Sequence, residues 1–160
     1  MPRTVNVQLT AGSRGAITAA ELRRVTRRVL DAEDVAAAVE VEVALADEAT
    51  VRDLNRLYRG RDEAADVLSF AALDGEAFLS APGEALSLGE VVICLALARS
   101  QASEAGRGVT GELAHLLTHG LLHLLGYDHE DDEAESRRMK GREDELLASL
   151  GYAGQYAHGH

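Results

Sequence analysis

The sequence predicts an α+β fold in which helices pack on a mixed sheet of about four strands. Three observations support this class: alternating apolar residues mark strands in the first half, a run apolar on both faces marks a central strand at 89–95, and helical periodicity dominates beyond residue 95. Early strands followed by late helices are typical of an α+β domain.

The first strand and helix follow from local patterns. Val5, Val7 and Leu9 alternate and predict a half-buried strand. Thr18 and Glu21 have the spacing of a capping box, which predicts a helix start. The inward positions of this helix are Leu22, Val25 and Val29, and its outer faces carry Arg23, Arg24, Arg27 and Arg28.

A second strand and helix lead into a third strand. Residues 39–45 alternate strictly and give the clearest strand signal. Asp47 is placed to cap the next helix and Gly60 to end it, and a strand at 66–70 follows directly. The residues of this helix predicted to face inward are Val51, Leu54 and Tyr58.

The remaining elements are an irregular segment and three helices. Residues 71–88 have little periodicity and predict an excursion between strands, a candidate mobile flap. Helices are predicted at about 96–105, 110–125 and 132–150, each followed by a glycine that can end it.

The 160 residues are enough for one domain with an ordinary hydrophobic core. We expect residues 1–152 to form it, and residues 153–160, with His158 and His160 among glycines, to be a flexible tail. The longest apolar run, at 91–98, is too short to cross a bilayer, and no basic start precedes an apolar stretch. A cytoplasmic protein is therefore predicted.

The charge pattern argues against wholesale coating of nucleic acid, because the net charge is −11. Residues 1–61 nevertheless hold ten arginines against nine carboxylates, so a basic face on the N-terminal half remains. Cys94 is the only cysteine, which excludes an intrachain disulfide and leaves histidines and carboxylates as metal ligands. Within so apolar a strand, Cys94 is predicted to be a small core residue.

The strongest functional signal is a cluster of histidines. His119 and His123 lie one helical turn apart, so their imidazoles can converge on one ion. His129 can join them only if the helix stops, and Gly126 is placed to stop it. Three neutral imidazoles with one position left for water or substrate describe a catalytic zinc site.

The histidine spacing is that of the metzincin proteases, and it suggests an architecture like that of zinc-dependent metalloproteases. One position differs. The residue after the first histidine, where those enzymes carry a catalytic glutamate, is Gly120. Peptide hydrolysis therefore lacks its usual base here.

Three neighbouring polar residues allow two interpretations each. His115 is either a group that orients a ligand or touches substrate, or a structural histidine. Asp128 either accepts a ligand's second N–H or is a turn residue. Glu112 is either a distant base or a charge that complements the helix dipole.

The sequence resembles the YbeY family of bacterial single-strand-specific endoribonucleases, which are linked to ribosomal RNA maturation. The segment His119-Gly-Leu-Leu-His123-Leu-Leu-Gly-Tyr-Asp-His129 matches the family signature along its whole length. Two further blocks agree, one from Leu54 through Gly60 into 66–70, the other at 88–94, and the resemblance covers roughly residues 40–150.

The resemblance implies a metal-dependent endoribonuclease domain, one zinc ion held by His119, His123 and His129, and Arg59 as the arginine needed for activity. It also implies single-stranded RNA, ribosomal RNA in particular, as substrate, with the small ribosomal subunit or its proteins as partners and no membrane. A planar guanidinium suits the role of Arg59, because it makes paired contacts to phosphate. Taken alone, Arg59 would be interpreted as a solvated cation at a helix end.

Two other functions fit the same residues. One is a metallohydrolase that acts on peptides or small molecules, and the other is a non-catalytic ribosome-assembly factor with structural zinc. Six arginines of the N-terminal half could supply an approach path for RNA: Arg23, Arg24, Arg27, Arg28, Arg56 and Arg61. For the cluster from Arg23 to Arg28, the alternative is an ordinary charged outer face.

The chain departs from the usual family pattern in three places. Glu63-Ala-Ala65 replaces Lys-Pro-Thr, Ala71 replaces proline, and Glu90 replaces aspartate. These departures concern the loop at 61–66 and its grip on substrate.

Overall fold

Four strands form one sheet in a computed structural model of the chain, which describes residues 4–35, 39–71, 86–127 and 132–152. The sheet order is β1-β2-β4-β3, with β1–β2 and β2–β4 parallel and β3 antiparallel at an edge. The predicted mixed four-stranded sheet is therefore confirmed. The strands are Thr4–Gln8 (β1), Val39–Ala46 (β2), Val67–Ala71 (β3) and Leu86–Cys94 (β4).

Helices cover the two faces of this sheet unequally. The larger core lies on the face packed by α1, α4 and α5, and a smaller core beneath α2 includes Val51, Leu68 and Val92. This arrangement confirms the α+β class. The helices in the described ranges are Ala19–Ala32 (α1), Glu48–Arg59 (α2), Leu95–Ala105 (α3), Val109–Leu124 (α4) and Glu133–Leu150 (α5).

Side-chain caps start the first two helices as predicted. The backbone N–H of Glu21 donates to Thr18 Oγ1 at 3.0 Å, and that of Thr50 donates to Asp47 Oδ1 at 2.8 Å. Gly60 ends α2 in the left-handed region, at φ 71°. This end fixes Arg59 as the last helical residue.

The central strand extends further than its sequence signal. Val91, Val92, Ile93 and Cys94 are almost fully buried, which confirms the two-sided apolar run and the core position of Cys94. The strand begins at Leu86, so the predicted excursion through residue 88 was too long at its C-terminal end. Pairing with β2 and β3 along 86–94 overrides the weak local signal there.

Two predicted inward residues face solvent. Leu9 follows β1 and is 43% exposed, and Tyr58 on α2 is 70% exposed. Tyr58 has the helical phase of Val51, but β3 is the edge of the sheet, so the last turn of α2 overhangs that edge. Its ring instead meets the edge of Phe70, with ring centroids 5.6 Å apart.

Some predictions concern residues outside the described ranges. These are the body of the candidate flap at 72–85, the turn with Asp128 and His129, and the tail at 153–160 with His158 and His160. No helix in the described part of the chain is long and apolar enough to span a membrane.

Candidate functional site

Helix α4 presents His119 and His123 from successive turns into one cleft. Their Nε2 atoms are 3.1 Å apart, and the ring planes cross at 74°. Two imidazoles on one tetrahedral zinc, each with a bond of about 2.0–2.1 Å, would hold their nitrogens about 3.3 Å apart. The spacing of the two nitrogens therefore fits a shared ion.

The helix ends where a third ligand requires it to end. Gly126 adopts φ 102°, and the N–H of Tyr127 donates to Leu122 O at 3.0 Å, which closes the last turn. His129 itself lies outside the described ranges. Across those ranges, no three His, Cys, Asp or Glu side chains are grouped to hold a metal, so the three-histidine set remains a prediction.

A buried carboxylate on α5, Glu143, orients the ring of His119. His119 Nδ1 donates to Glu143 Oε2 at 2.5 Å, and His115 Nε2 lies 3.2 Å from Glu143 Oε1. Burial alone would raise the pKa of Glu143, but the hydrogen bonds from His115 and His119 outweigh it and lower the pKa to about 2. The ionised acceptor favours the tautomer of His119 with the proton on Nδ1, in which Nε2 has the lone pair of a ligand atom.

His115 and Glu112 lie away from the cleft that holds the histidine pair. Both line a second cavity, where Arg107 Nη2 approaches Glu112 Oε1 to 2.5 Å. Glu112 is 2% exposed in the first turn of α4, which favours its structural interpretation over a base. His115 contacts Glu143, the acceptor for His119 Nδ1, which favours the orienting interpretation.

Arg59 lines the same cleft as the histidine pair. The cleft has a volume of about 360 Å³ and is lined by residues of β3, the outermost strand of the sheet in the described ranges. Arg59 Nη2 donates to Ser69 O at 2.5 Å, and its guanidinium lies 5.5 Å from the centre of the Phe70 ring. One of its five donors is thus used for positioning, and the others can meet an anion.

Asn55 secures the loop that follows Arg59. Asn55 is 3% exposed, and its side-chain Nδ2 donates to Glu63 O at 2.9 Å. Its backbone carbonyl accepts from the N–H of Arg61 at 3.3 Å. These contacts use backbone atoms of the loop, so they are compatible with Glu63-Ala-Ala65 in place of the family's usual residues. The loop therefore keeps an anchor independent of its side chains.

The arginines of α1 serve mainly to attach the helix. Arg23 Nε donates to Val5 O, Arg24 Nη2 to Leu150 O, and Arg28 Nε to Ser149 Oγ. Arg56 and Arg61 form exposed pairs with Asp53 and Glu63. These contacts favour the charged outer face over a dedicated RNA surface.

Gly120 occupies the position of the protease base, and that position has no room for a side chain. A Cβ there would lie 2.7 Å from Val91 Cγ1 and 3.2 Å from both Val67 Cγ2 and Ser69 Oγ. Ser69 Oγ also donates to Gly120 O at 2.9 Å. The glycine is therefore the contact point between α4 and the sheet, and a catalytic carboxylate cannot be placed there without moving the helix.

We expect Gly120→Ala to destabilise the fold although alanine favours helix. The overpacking costs about 1–3 kcal/mol, against a helix-propensity gain of about 1 kcal/mol. The free energy of unfolding should therefore fall by up to about 2 kcal/mol in urea titrations.

Gly141→Ala is the matched control, because Gly141 is helical and exposed and a Cβ there meets nothing within 4 Å. It should raise the free energy of unfolding by about 0.5–1 kcal/mol. An equal increase in the free energy of unfolding for Gly120→Ala and Gly141→Ala would contradict the tight contact between α4 and the sheet.

Sequence reasoning missed Glu143 and Ser69. Glu143 lies on α5 with buried Met139, Leu146 and Leu147, so a carboxylate on the apolar stripe of that helix was the available signal. No sequence signal pointed to Ser69, because its hydrogen bond to Gly120 O depends on the approach of α4 to β3.

Comparison with known proteins identifies the family of the chain. The family model described as Endoribonuclease YbeY matches residues 9–151. An Endoribonuclease YbeY of a Roseiflexus species is 40% identical over 93% of this chain and 94% of its own length. That of Pelotomaculum thermopropionicum is 46% identical over 81% of this chain and 84% of its own.

A solved structure shares the fold. The solution structure of TM1509 from Thermotoga maritima matches 98% of this chain and 99% of its own with a TM-score of 0.58, at 22% identity.

The mixed sheet, with a histidine pair and an arginine in one cleft, fits an α+β enzyme of the hydrolase class. The family match over most of the chain narrows that class. The chain belongs to the Endoribonuclease YbeY family.

Proposed function

We propose that this chain is a zinc-dependent endoribonuclease that cuts single-stranded RNA and acts in ribosomal RNA maturation. The observation that carries the proposal is the convergence of two imidazole nitrogens, 3.1 Å apart, in a cleft also lined by Arg59. His119, His123 and His129 would hold the ion, and a cytoplasmic setting with the small ribosomal subunit nearby fits such a substrate.

The bound zinc would supply Lewis acidity and a more acidic water. The protein residues supply orientation and charge. Glu143 holds the His119 ring with Nε2 facing the cleft, and the Arg59 guanidinium, steadied by Ser69 O, is placed to bind the non-bridging oxygens of a phosphodiester. No carboxylate base follows the first histidine, since position 120 is closed by the sheet.

Two observations weigh against the peptide-cleaving alternative. A glutamate at position 120 would overlap the sheet, and Arg59 already donates to the Ser69 carbonyl of β3, the outermost described strand. An extended peptide substrate would add to that edge through such backbone groups. The other donors of the same guanidinium can bind a phosphate of RNA.

The first test combines metal removal with a choice of substrates. We expect the purified chain to bind one metal ion and to cut single-stranded RNA, to lose cleavage after treatment with a chelator, and to regain it with Zn²⁺. Elemental analysis identifies the metal, because three imidazoles also suit nickel, copper or iron.

Duplex RNA and a casein-type peptide substrate are the comparison arms. Steady cleavage of peptide but not RNA would favour the metallohydrolase. A chain proved metal-free that cuts RNA at an unchanged rate would refute the zinc-dependent mechanism.

A further inference from the structure

A third cavity, distinct from the one that Arg107 and Glu112 line, adjoins the histidine cleft at Arg59. Its volume is about 580 Å³, and its apolar wall consists of Leu54, Tyr58 and Phe70. Both cavities are lined by Arg59, Ser69 and Ala71, so one short ligand can occupy both.

The aromatic wall of this cavity is exposed yet held in place. Tyr58 is 70% exposed, and the Phe70 ring meets it at 64°. Phe70 is fixed in β3, and the Arg59 guanidinium lies 5.5 Å from its centre. An exposed aromatic of fixed orientation beside a cation is the arrangement by which proteins bind single-stranded nucleic acid, because every base has a face that can stack.

The charges in the cavity set the direction of a bound nucleotide. Arg59 lines both this cavity and the histidine cleft, whereas Glu90, the cross-strand partner of Phe70, lines this cavity and not the cleft. A phosphate is therefore favoured at Arg59 and disfavoured beside Glu90, which leaves the aromatic wall to the base.

We propose that Tyr58 and Phe70 form a stacking site for one unpaired base next to the scissile phosphate, and that this site helps to select single-stranded RNA. A base inside a duplex is already stacked and paired, so it cannot enter the cavity without being pulled out. The inference rests on the proposed function, since it places the scissile phosphate at Arg59.

The test uses Tyr58→Ala, Tyr58→Trp and, as matched control, Leu57→Ala. Leu57 is the adjacent residue, is 66% exposed, and does not line the cavity. Binding is measured by fluorescence anisotropy with a series of short single-stranded RNAs, each with one abasic position, and cleavage of the same RNAs gives kcat and KM. Thermal unfolding of each variant confirms that it folds.

With intact RNA, we expect Tyr58→Ala to weaken binding and raise KM about tenfold or more, while Tyr58→Trp and Leu57→Ala bind like the wild type. One abasic position next to the cut should weaken wild-type binding to a similar degree and have little effect on Tyr58→Ala. Equal binding of wild type and Tyr58→Ala across the whole series would overturn the stacking site and leave the proposed function standing. A wild-type chain that cuts no RNA would refute the proposed function, and the binding series would still decide whether a base stacks on Tyr58.

Discussion

His123→Ala is expected to remove both the bound metal and the cleavage of RNA. The Nε2 atom of His123 is one of the two nitrogens that converge in the cleft. Among the residues that the structure describes, no group of three His, Cys, Asp or Glu side chains offers a replacement site. Loss of a residue that merely orients a ligand typically weakens metal affinity by about 10–100-fold, so loss of a ligand should exceed this range. The measurement is metal per chain by elemental analysis, followed by a single-stranded RNA cleavage assay.

Arg59→Ala is the natural counterpart, because it changes the same cleft without changing a ligand. It should keep its metal, so the two variants separate metal binding from charge stabilisation. Full cleavage by a His123→Ala chain that has lost its metal would defeat the catalytic role of the ion. Full retention of metal would instead show that His123 is not a ligand.

Arg59→Ala is expected to lower kcat for single-stranded RNA by about 10²–10³-fold, the usual effect of removing one donor that stabilises charge in the transition state. The guanidinium is held by Ser69 O and lies over Phe70, so it is positioned before substrate arrives. Arg59→Lys should recover only part of the rate, since an ammonium keeps the charge but not the paired contacts.

Arg56→Ala is the matched control for Arg59. Arg56 is an exposed arginine of the same helix, but it pairs with Asp53 and does not line the cleft. Its loss should leave kcat within about twofold, as exposed ion pairs contribute little. If Arg59→Glu leaves ribosomal RNA processing intact in cells, the non-catalytic assembly factor becomes the better explanation.

The sequence contains local signals for most of the fold. Alternation in β2, the capping side chains of Thr18 and Asp47 and the terminating Gly60 all act within a few residues, so the elements they define could be predicted. The histidine pair could also be predicted from the sequence, because helical geometry alone brings residues 119 and 123 together.

The parts that could not be predicted depend on contacts between distant segments. Tyr58 has the phase of an inward residue, and only the position of β3 at the sheet edge turns it out to solvent. Glu143 meets His119 because α5 packs on α4, a contact between residues 24 positions apart. In the sequence, Gly120 is only a position that lacks the catalytic glutamate. The structure adds a packing requirement, because a Cβ at this position would lie 2.7 Å from Val91 Cγ1.

Glu143 lies on α5, which follows α4 in the chain, and this order has a consequence for biosynthesis. Chains emerge from the ribosome N-terminus first, so both cleft histidines are made before the carboxylate that orients one of them. A nascent chain that stops short of residue 143 has no acceptor for Nδ1 of His119, and it also lacks Leu146, Leu147 and Leu150, which seat the helix. The oriented centre therefore forms only after α5 has been made, later than either cleft histidine.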